Sequence, residues 1–168
     1  MIRDVHHVNL KAHPVRLEGM LPQIGKKIPS AILTKNDLHE VSLEQFSGKT
    51  LILSTAPSFD TPTCAITAKQ LYEKLKSQKD LHLLHISCDL PFAQQRFCDE
   101  AKFHTSEFLS AFRSSFGKDW GIGISEGVLK GLLARALFVV DPQGILRYTQ
   151  IVPEITQEPN YEELLNTL

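Results

Sequence analysis

Long apolar runs, blocks of like charge and paired cysteines are all scarce in this sequence, and each shortage closes off a class of protein. No apolar stretch approaches the roughly eighteen residues needed to cross a bilayer, so no membrane-spanning helix is expected. The 18 Lys and Arg nearly balance the 19 Asp and Glu, leaving a formal net charge of −1. These charges alternate, whereas a nucleic-acid or anionic-membrane partner would leave a basic footprint. Three cysteines are too few, and odd in number, for the disulfide framework of a secreted scaffold. The opening residues Met1 to His7 interrupt their apolar positions with charge and imidazole, unlike a secretory signal, so a reducing, cytosolic setting is expected. Repeats and low-complexity segments are lacking too, and 168 residues suit one domain with a proper core, spanning 1–168.

What is present is an alternation of strand and helix patterns. Residues 4–18 read as a β-hairpin turning at His13-Pro14, with Val5, Val8, Leu10, Val15 and Leu17 near period two. Short strands are expected at Ala31–Thr34 and around Val41, then a helical turn at Leu43–Phe46 closed by Gly48. Three compact apolar runs, 50–55, 81–87 and 135–140, read as buried strands, and 145–152 as a fourth strand after the Asp141-Pro142-Gln143-Gly144 turn. Helices are expected from Pro62 to about Ser77, from the Asp89 cap and Pro91 to about Lys102, over Ser106–Phe112, and over Asn160–Thr167, with a Gly-rich loop at Gly117–Gly131. That order is α/β, a central mixed sheet flanked by helices on both faces.

Chemistry concentrates at the first strand-to-helix corner, Ala56-Pro57-Ser58-Phe59-Asp60-Thr61-Pro62-Thr63-Cys64. Pro62 fits the first helical position, where its missing N–H costs nothing, and its ring pushes Thr61 into the extended region an N-cap requires. Cys64 is then the third helical residue, among backbone N–H groups without intrahelical partners and at the positive end of the macrodipole. Such a setting favours the thiolate, which in an ordinary Cys is only a few per cent of the total near neutrality. The Thr61 hydroxyl can reach either the Cys64 amide or the sulfur. A half-buried, inert Cys beside an ordinary cap fits the same spacing equally well.

The segment Pro57 to Cys64 resembles the active-site signature of the peroxiredoxins, a Pro, then a Thr, then a Cys three residues later. Asp89-Leu90-Pro91-Phe92-Ala93-Gln94 with Arg96-Phe97-Cys98, Leu129 to Ala136, and Glu154 to Glu162 resemble the bacterial thiol peroxidases of the atypical two-cysteine type. The resemblance runs from near the N-terminal hairpin to the last helix. It implies a thioredoxin-like fold with an added N-terminal hairpin, and a peroxidase that needs no cofactor because sulfur carries the redox chemistry.

The same resemblance implies individual roles. Cys64 is the peroxidatic cysteine and passes through a sulfenic acid; Cys98 resolves it as an intramolecular disulfide. Thr61 binds the peroxide and holds the sulfur, Arg135 stabilises the thiolate and the leaving oxygen, and Pro57 shields the pocket. Taken alone, Arg135 reads as a surface ion pair and Pro57 as a strand terminator. Residues 60–66 and 95–99 are expected to unfold locally on oxidation. Hydrogen peroxide and organic hydroperoxides are the implied substrates, thioredoxin the reductant and a homodimer the assembly. A redox sensor that relays oxidation to a partner is the alternative with the same chemistry. A general thiol-disulfide oxidoreductase is disfavoured, because Cys98 lies 34 residues from Cys64 rather than in the same helical turn. A non-catalytic interaction domain would leave Cys64 no more reactive than free cysteine.

Other signals carry less. Cys88 reads as a structural or spectator thiol. The seven histidines show no zinc or facial-triad spacing; His6 and His7, like His82 and His85, point to opposite faces of a strand, and no metal site is expected. Gly121, Gly123 and Gly127 follow Trp120 rather than a buried strand and so do not form a nucleotide fingerprint. The phenylalanines from Phe92 to Phe116 are core fillers by default, with part of the stretch implied by resemblance to line a substrate channel or a dimer surface. Ser114 to Gly123 is longer and more polar than that family pattern.

Overall fold

The structure, a computed structural model, describes residues 7–168. The expected hairpin residues Asp4 to His6 therefore lie outside the described residues, and only His7 of the His6-His7 pair is placed.

The centre is a seven-stranded mixed sheet. Three strands run parallel side by side: β5 (Thr50–Thr55), β6 (Leu81–Ser87) and β7 (Glu107–Ser110). Antiparallel strands complete both edges, β9 (Ala136–Val140) and β10 (Leu146–Ile151) beside β5, and β3 (Ile32–Lys35) and β4 (Glu40–Ser42) beside β7. A smaller antiparallel sheet joins the hairpin β1 (His7–Leu10) and β2 (His13–Glu18) to a two-residue strand β8 (Gly123–Ile124). The central strands are apolar runs because they are covered twice; every residue of β9 is buried.

The two faces of the sheet are filled differently. Ile52, Leu83, Leu137 and Val139 pack under Leu71 and Leu75 of α1 (Pro62–Leu75) and Leu164 of α4 (Tyr161–Leu165). Towards the other end of this face lies an aromatic cluster of Phe59, Phe97, Phe103 and Phe108, with Phe97 coming from α2 (Pro91–Ala101). The opposite face carries Leu51, Leu53, Leu84, Ile86 and Phe138, covered by the hairpin, a 3-10 turn at Leu43–Phe46 and the short α3 (Phe116–Asp119). Among the described residues, no helix is long and apolar enough to cross a membrane.

Four expectations change. The stretch expected as a helix over Ser106–Phe112 is strand β7, because pairing with β6 satisfies its backbone and Phe108 and Leu109 each find a buried face. The hairpin turns at Lys11 and Ala12, with φ +49° and +67°, and Pro14 lies within β2. Those two left-handed residues are held from outside, their amides donating to the Glu154 carboxylate at 3.0 Å each. The Gly-rich loop contains α3 and β8, and in the polar-looking segment Phe116, Trp120 and Ile122 are fully buried. Gly121 allows this: its φ is +67°, and a Cβ there would stand 2.4 Å from the Met20 carbonyl carbon. Asp89, finally, does not cap α2; Leu90 is the N-cap residue and makes no side-chain bond.

Candidate active site

The corner after β5 forms as the local chemistry dictates. Thr61 is extended (φ −97°, ψ 146°), Pro62 opens α1, and Cys64 is its third residue. The Thr61 hydroxyl caps nothing; it donates to the Ser58 carbonyl at 2.9 Å, while its own carbonyl accepts the Ala65 amide at 3.0 Å. The side chain thus tightens the loop before the helix and leaves the first-turn N–H groups to the sulfur's surroundings. Pro57 is buried at the start of this corner and Thr61 is exposed at its end.

Cys64 is 1% exposed and Arg135 equally so, and they meet: Arg135 Nη2 donates to Cys64 Sγ at 3.5 Å and to the Ile155 carbonyl at 2.8 Å. The sequence reading of Arg135 alone, a surface ion pair, is therefore wrong. The guanidinium is buried beside a sulfur, and its Nε and Nη1 have no partner among the described residues. A buried cation with donors to spare is costly unless it meets negative charge, so the site can hold an anion beside the guanidinium. The 153–156 segment positions the cation. Its Pro153 carbonyl accepts the Asn9 amide and its Ile155 amide donates to the Asn9 carbonyl, while Thr63 Oγ1 of α1 donates to the Thr156 carbonyl at 3.3 Å. Glu154, with the Ala12 amide foremost and those of Lys11 and Thr156 also donating to it, has its carboxyl held down to about 2.

Cys98 is built into contrasting surroundings. It lies in the last turn of α2, half-buried against the aromatic cluster that also holds Cys64, and its thiol donates to the Phe103 carbonyl at 3.6 Å. Burial, and then the neighbouring Asp99 charge, push its ionisation upward. The helix ends on Lys102, a left-handed residue (φ +57°) that is not glycine, with closing bonds of 3.3 Å from Lys102 and Phe103. All three cysteines are free thiols. Cys88 is pushed up to about 11, by burial first and the Asp89 charge second, which leaves it protonated at neutrality.

Asp89 ties the two corners together, a role its reading as a cap missed. It accepts from Ser58 Oγ (2.6 Å), the Phe59 amide (2.9 Å) and Ser87 Oγ (2.7 Å), linking the loop before Cys64 to the loop before the Cys98 helix. Of the six phenylalanines in the Phe92–Phe116 stretch, four are buried, and Phe92 and Phe112 are 66% and 41% exposed. No group of three or more potential metal ligands occurs among the described residues. Two surface cavities of about 300 and 290 Å³ open around Lys79 and Leu81, and neither includes Cys64 or Arg135.

The chain has known relatives in both sequence and fold. The model of the redoxin family matches residues 23–165. A thiol peroxidase of Leptospira interrogans is 46% identical, over 92% of both chains. One from Mycobacterium tuberculosis is 42% identical, over 96% of this chain and 97% of the relative. Among solved structures, a peroxiredoxin-like protein from Aquifex aeolicus superposes with a TM-score of 0.91 at 39% identity, covering 96% of this chain and 94% of that one.

Proposed function

This chain belongs to the redoxin family and is a thiol peroxidase of thioredoxin-like fold, and from that premise we propose that Cys64 attacks the peroxide and Cys98 resolves it. The observation that carries the assignment is the buried 3.5 Å contact between Arg135 and the sulfur at the N-terminus of α1.

In the proposed cycle the Cys64 thiolate attacks one oxygen of the hydroperoxide. The O–O bond breaks, sulfur keeps one oxygen as a sulfenic acid, and the other leaves as water or an alcohol after taking a proton from solvent. Arg135 stabilises the thiolate and the charge growing on the departing oxygen, using N–H groups fixed in advance. Thr61 adds a donor by releasing the Ser58 carbonyl, and buried Pro57 keeps bulk water and further peroxide off the sulfur. The Cys98 sulfur then attacks the sulfenic sulfur; an S–S bond forms, the S–O bond breaks, and the oxygen leaves as water with the thiol's proton. A dithiol protein of the thioredoxin type reduces the disulfide and is itself oxidised.

For the sulfurs to meet, the first turn of α1 and the last of α2 loosen, the segments 60–66 and 95–99. Substrates are hydrogen peroxide and organic hydroperoxides, and the working compartment is the reducing cytosol. The exposed Ile66, Leu90, Phe92 and Phe112 are the proposed homodimer surface. Thioredoxin-coupled turnover of cumene hydroperoxide tests the assignment. Cys64→Ser should be inert, and Cys98→Ser should stop after one event at a sulfenic acid that dimedone traps. Full turnover by either variant contradicts it.

A further inference from the structure

The aromatic cluster bordered by both sulfurs contains one group of the wrong polarity. His85, in the interior of β6, lies opposite Ser54 of β5 on one side and Phe108 of β7 on the other. Its ring is 0% exposed, and neither nitrogen has a hydrogen-bond partner among the described residues. It stacks on Phe108 at 4.6 Å and meets Phe59 and Phe103 at 5.9 Å each. Phe59 belongs to the corner before Cys64. Phe103 directly follows the end of α2, and its carbonyl accepts the Cys98 thiol. An imidazole must donate at one nitrogen and accept at the other, so this one forfeits both bonds while the cluster stays closed. Leucine or phenylalanine would forfeit nothing.

We infer that His85 is a positioning residue for the resolving step: its unpaired ring loads the closed cluster, so that unravelling of the α2 end hydrates the imidazole and frees Cys98 to reach Cys64. The inference rests on the reading of Cys98 as the resolving cysteine. Water satisfies the ring only in the opened form, which raises the opened fraction relative to an apolar residue by about tenfold. When opening precedes attack, disulfide formation rises by the same factor.

Proton binding gives the device a pH dependence. Burial alone drives the closed-state imidazole down to about 3. Opened to water, it returns to the ordinary value near 6.5. Between these two values the opened form binds a proton that the closed form refuses, so falling pH favours opening. The titratable groups around the ring are Cys64 and Tyr72 from α1 and Cys98 from α2. β5 and β7 present Ser54 and Phe108, and Glu107 alternates to the other face of β7. Among the described residues, exposed His104, beside Phe103, is the one other imidazole next to the cluster.

Quenched-flow mass spectrometry of the reduced protein with one equivalent of cumene hydroperoxide, from pH 7.5 to 5.5, separates sulfenic acid from disulfide. His85→Leu should form the disulfide about tenfold more slowly at pH 7.5, with sulfenic acid accumulating. The ratio of wild-type to His85→Leu rates should grow about another tenfold by pH 5.5. His85→Asn, polar but not titratable, should retain the fast rate at pH 7.5 and lose that growth. Amide exchange at 98–103 in the reduced proteins should follow the same order. Equal rates and exchange in wild type and His85→Leu, or a pH-independent ratio that leaves the dependence to His104, would overturn the role of His85 while the cysteine assignment stands. A wild type that forms no Cys64–Cys98 bond overturns the reading beneath it.

Discussion

Cys64 and Cys98 sit at opposite ends of their helices. Cys64 is the third residue of α1, where N–H groups lack partners and Arg135 adds a cation at 3.5 Å. Cys98 lies in the last turn of α2, where carbonyls lack partners, Asp99 is adjacent, and the thiol donates a hydrogen bond to the Phe103 carbonyl. One end is organised to hold negative charge on sulfur, the other to keep its sulfur protonated. The rigidity differs in the same sense. The Cys64 corner is pinned through Ser58, Phe59, Thr63 and Arg135, whereas the Cys98 helix closes on a left-handed lysine with two 3.3 Å bonds. The contrast accounts for a division of labour in the proposed cycle. In that cycle the sulfur that attacks lies beside a buried cation in a pinned corner, and the one that resolves stays out of competition for peroxide until the helix ends loosen.

The comparison breaks most severely at Arg135. Arg135→Met should slow peroxide attack on Cys64 by about 10²- to 10³-fold, the usual cost of losing a preorganised charge donor, as read by stopped-flow mixing with cumene hydroperoxide. A loss below about threefold would remove the cation from the account. Lys102→Gly should sharpen the opposite side. It relieves a left-handed conformation costing a non-glycine residue about 1 kcal/mol, so the helix end holds longer and disulfide formation slows about fivefold. An unchanged rate would mean that the end of α2 does not gate the step. The smallest effect concerns Glu154, next to the residue whose carbonyl orients Arg135. Its carboxyl is lowered in the folded protein to about 2, so its contribution to holding the hairpin is complete above the ordinary value and is lost as pH falls through about 2. Amide protection at Lys11 and Ala12 should fall between pH 5 and 2, and Glu154→Gln should abolish that dependence.

Much of this was legible because local and tertiary preferences agree. Double coverage makes β5, β6 and β9 apolar runs, and proline at the first helical position marks the starts of α1 and α2. The placement of Cys64 followed from Thr61 and Pro62 alone. What was hidden depends on partners distant in sequence. β7 is a strand because β6 is beside it, and the apolar spacing of Phe108, Leu109, Ala111 and Phe112 suits either element. The hairpin turns on Lys11 and Ala12 because Glu154, over 140 residues later, holds their amides. Arg135 looked like a surface residue since no local pattern encodes its burial against Cys64 and Ile155. Asp89 resembled a helix cap because capping and cross-loop bonding call for the same short carboxylate.

The central claim is that these two thiols, and not Cys88, share the reaction. Peptide mapping of the wild-type protein after one equivalent of cumene hydroperoxide tests it most directly. The account predicts loss of two thiols, a single intramolecular bond joining Cys64 to Cys98, and Cys88 still free. A bond from Cys64 to Cys88 or to a second chain, or three thiols left intact, would contradict it.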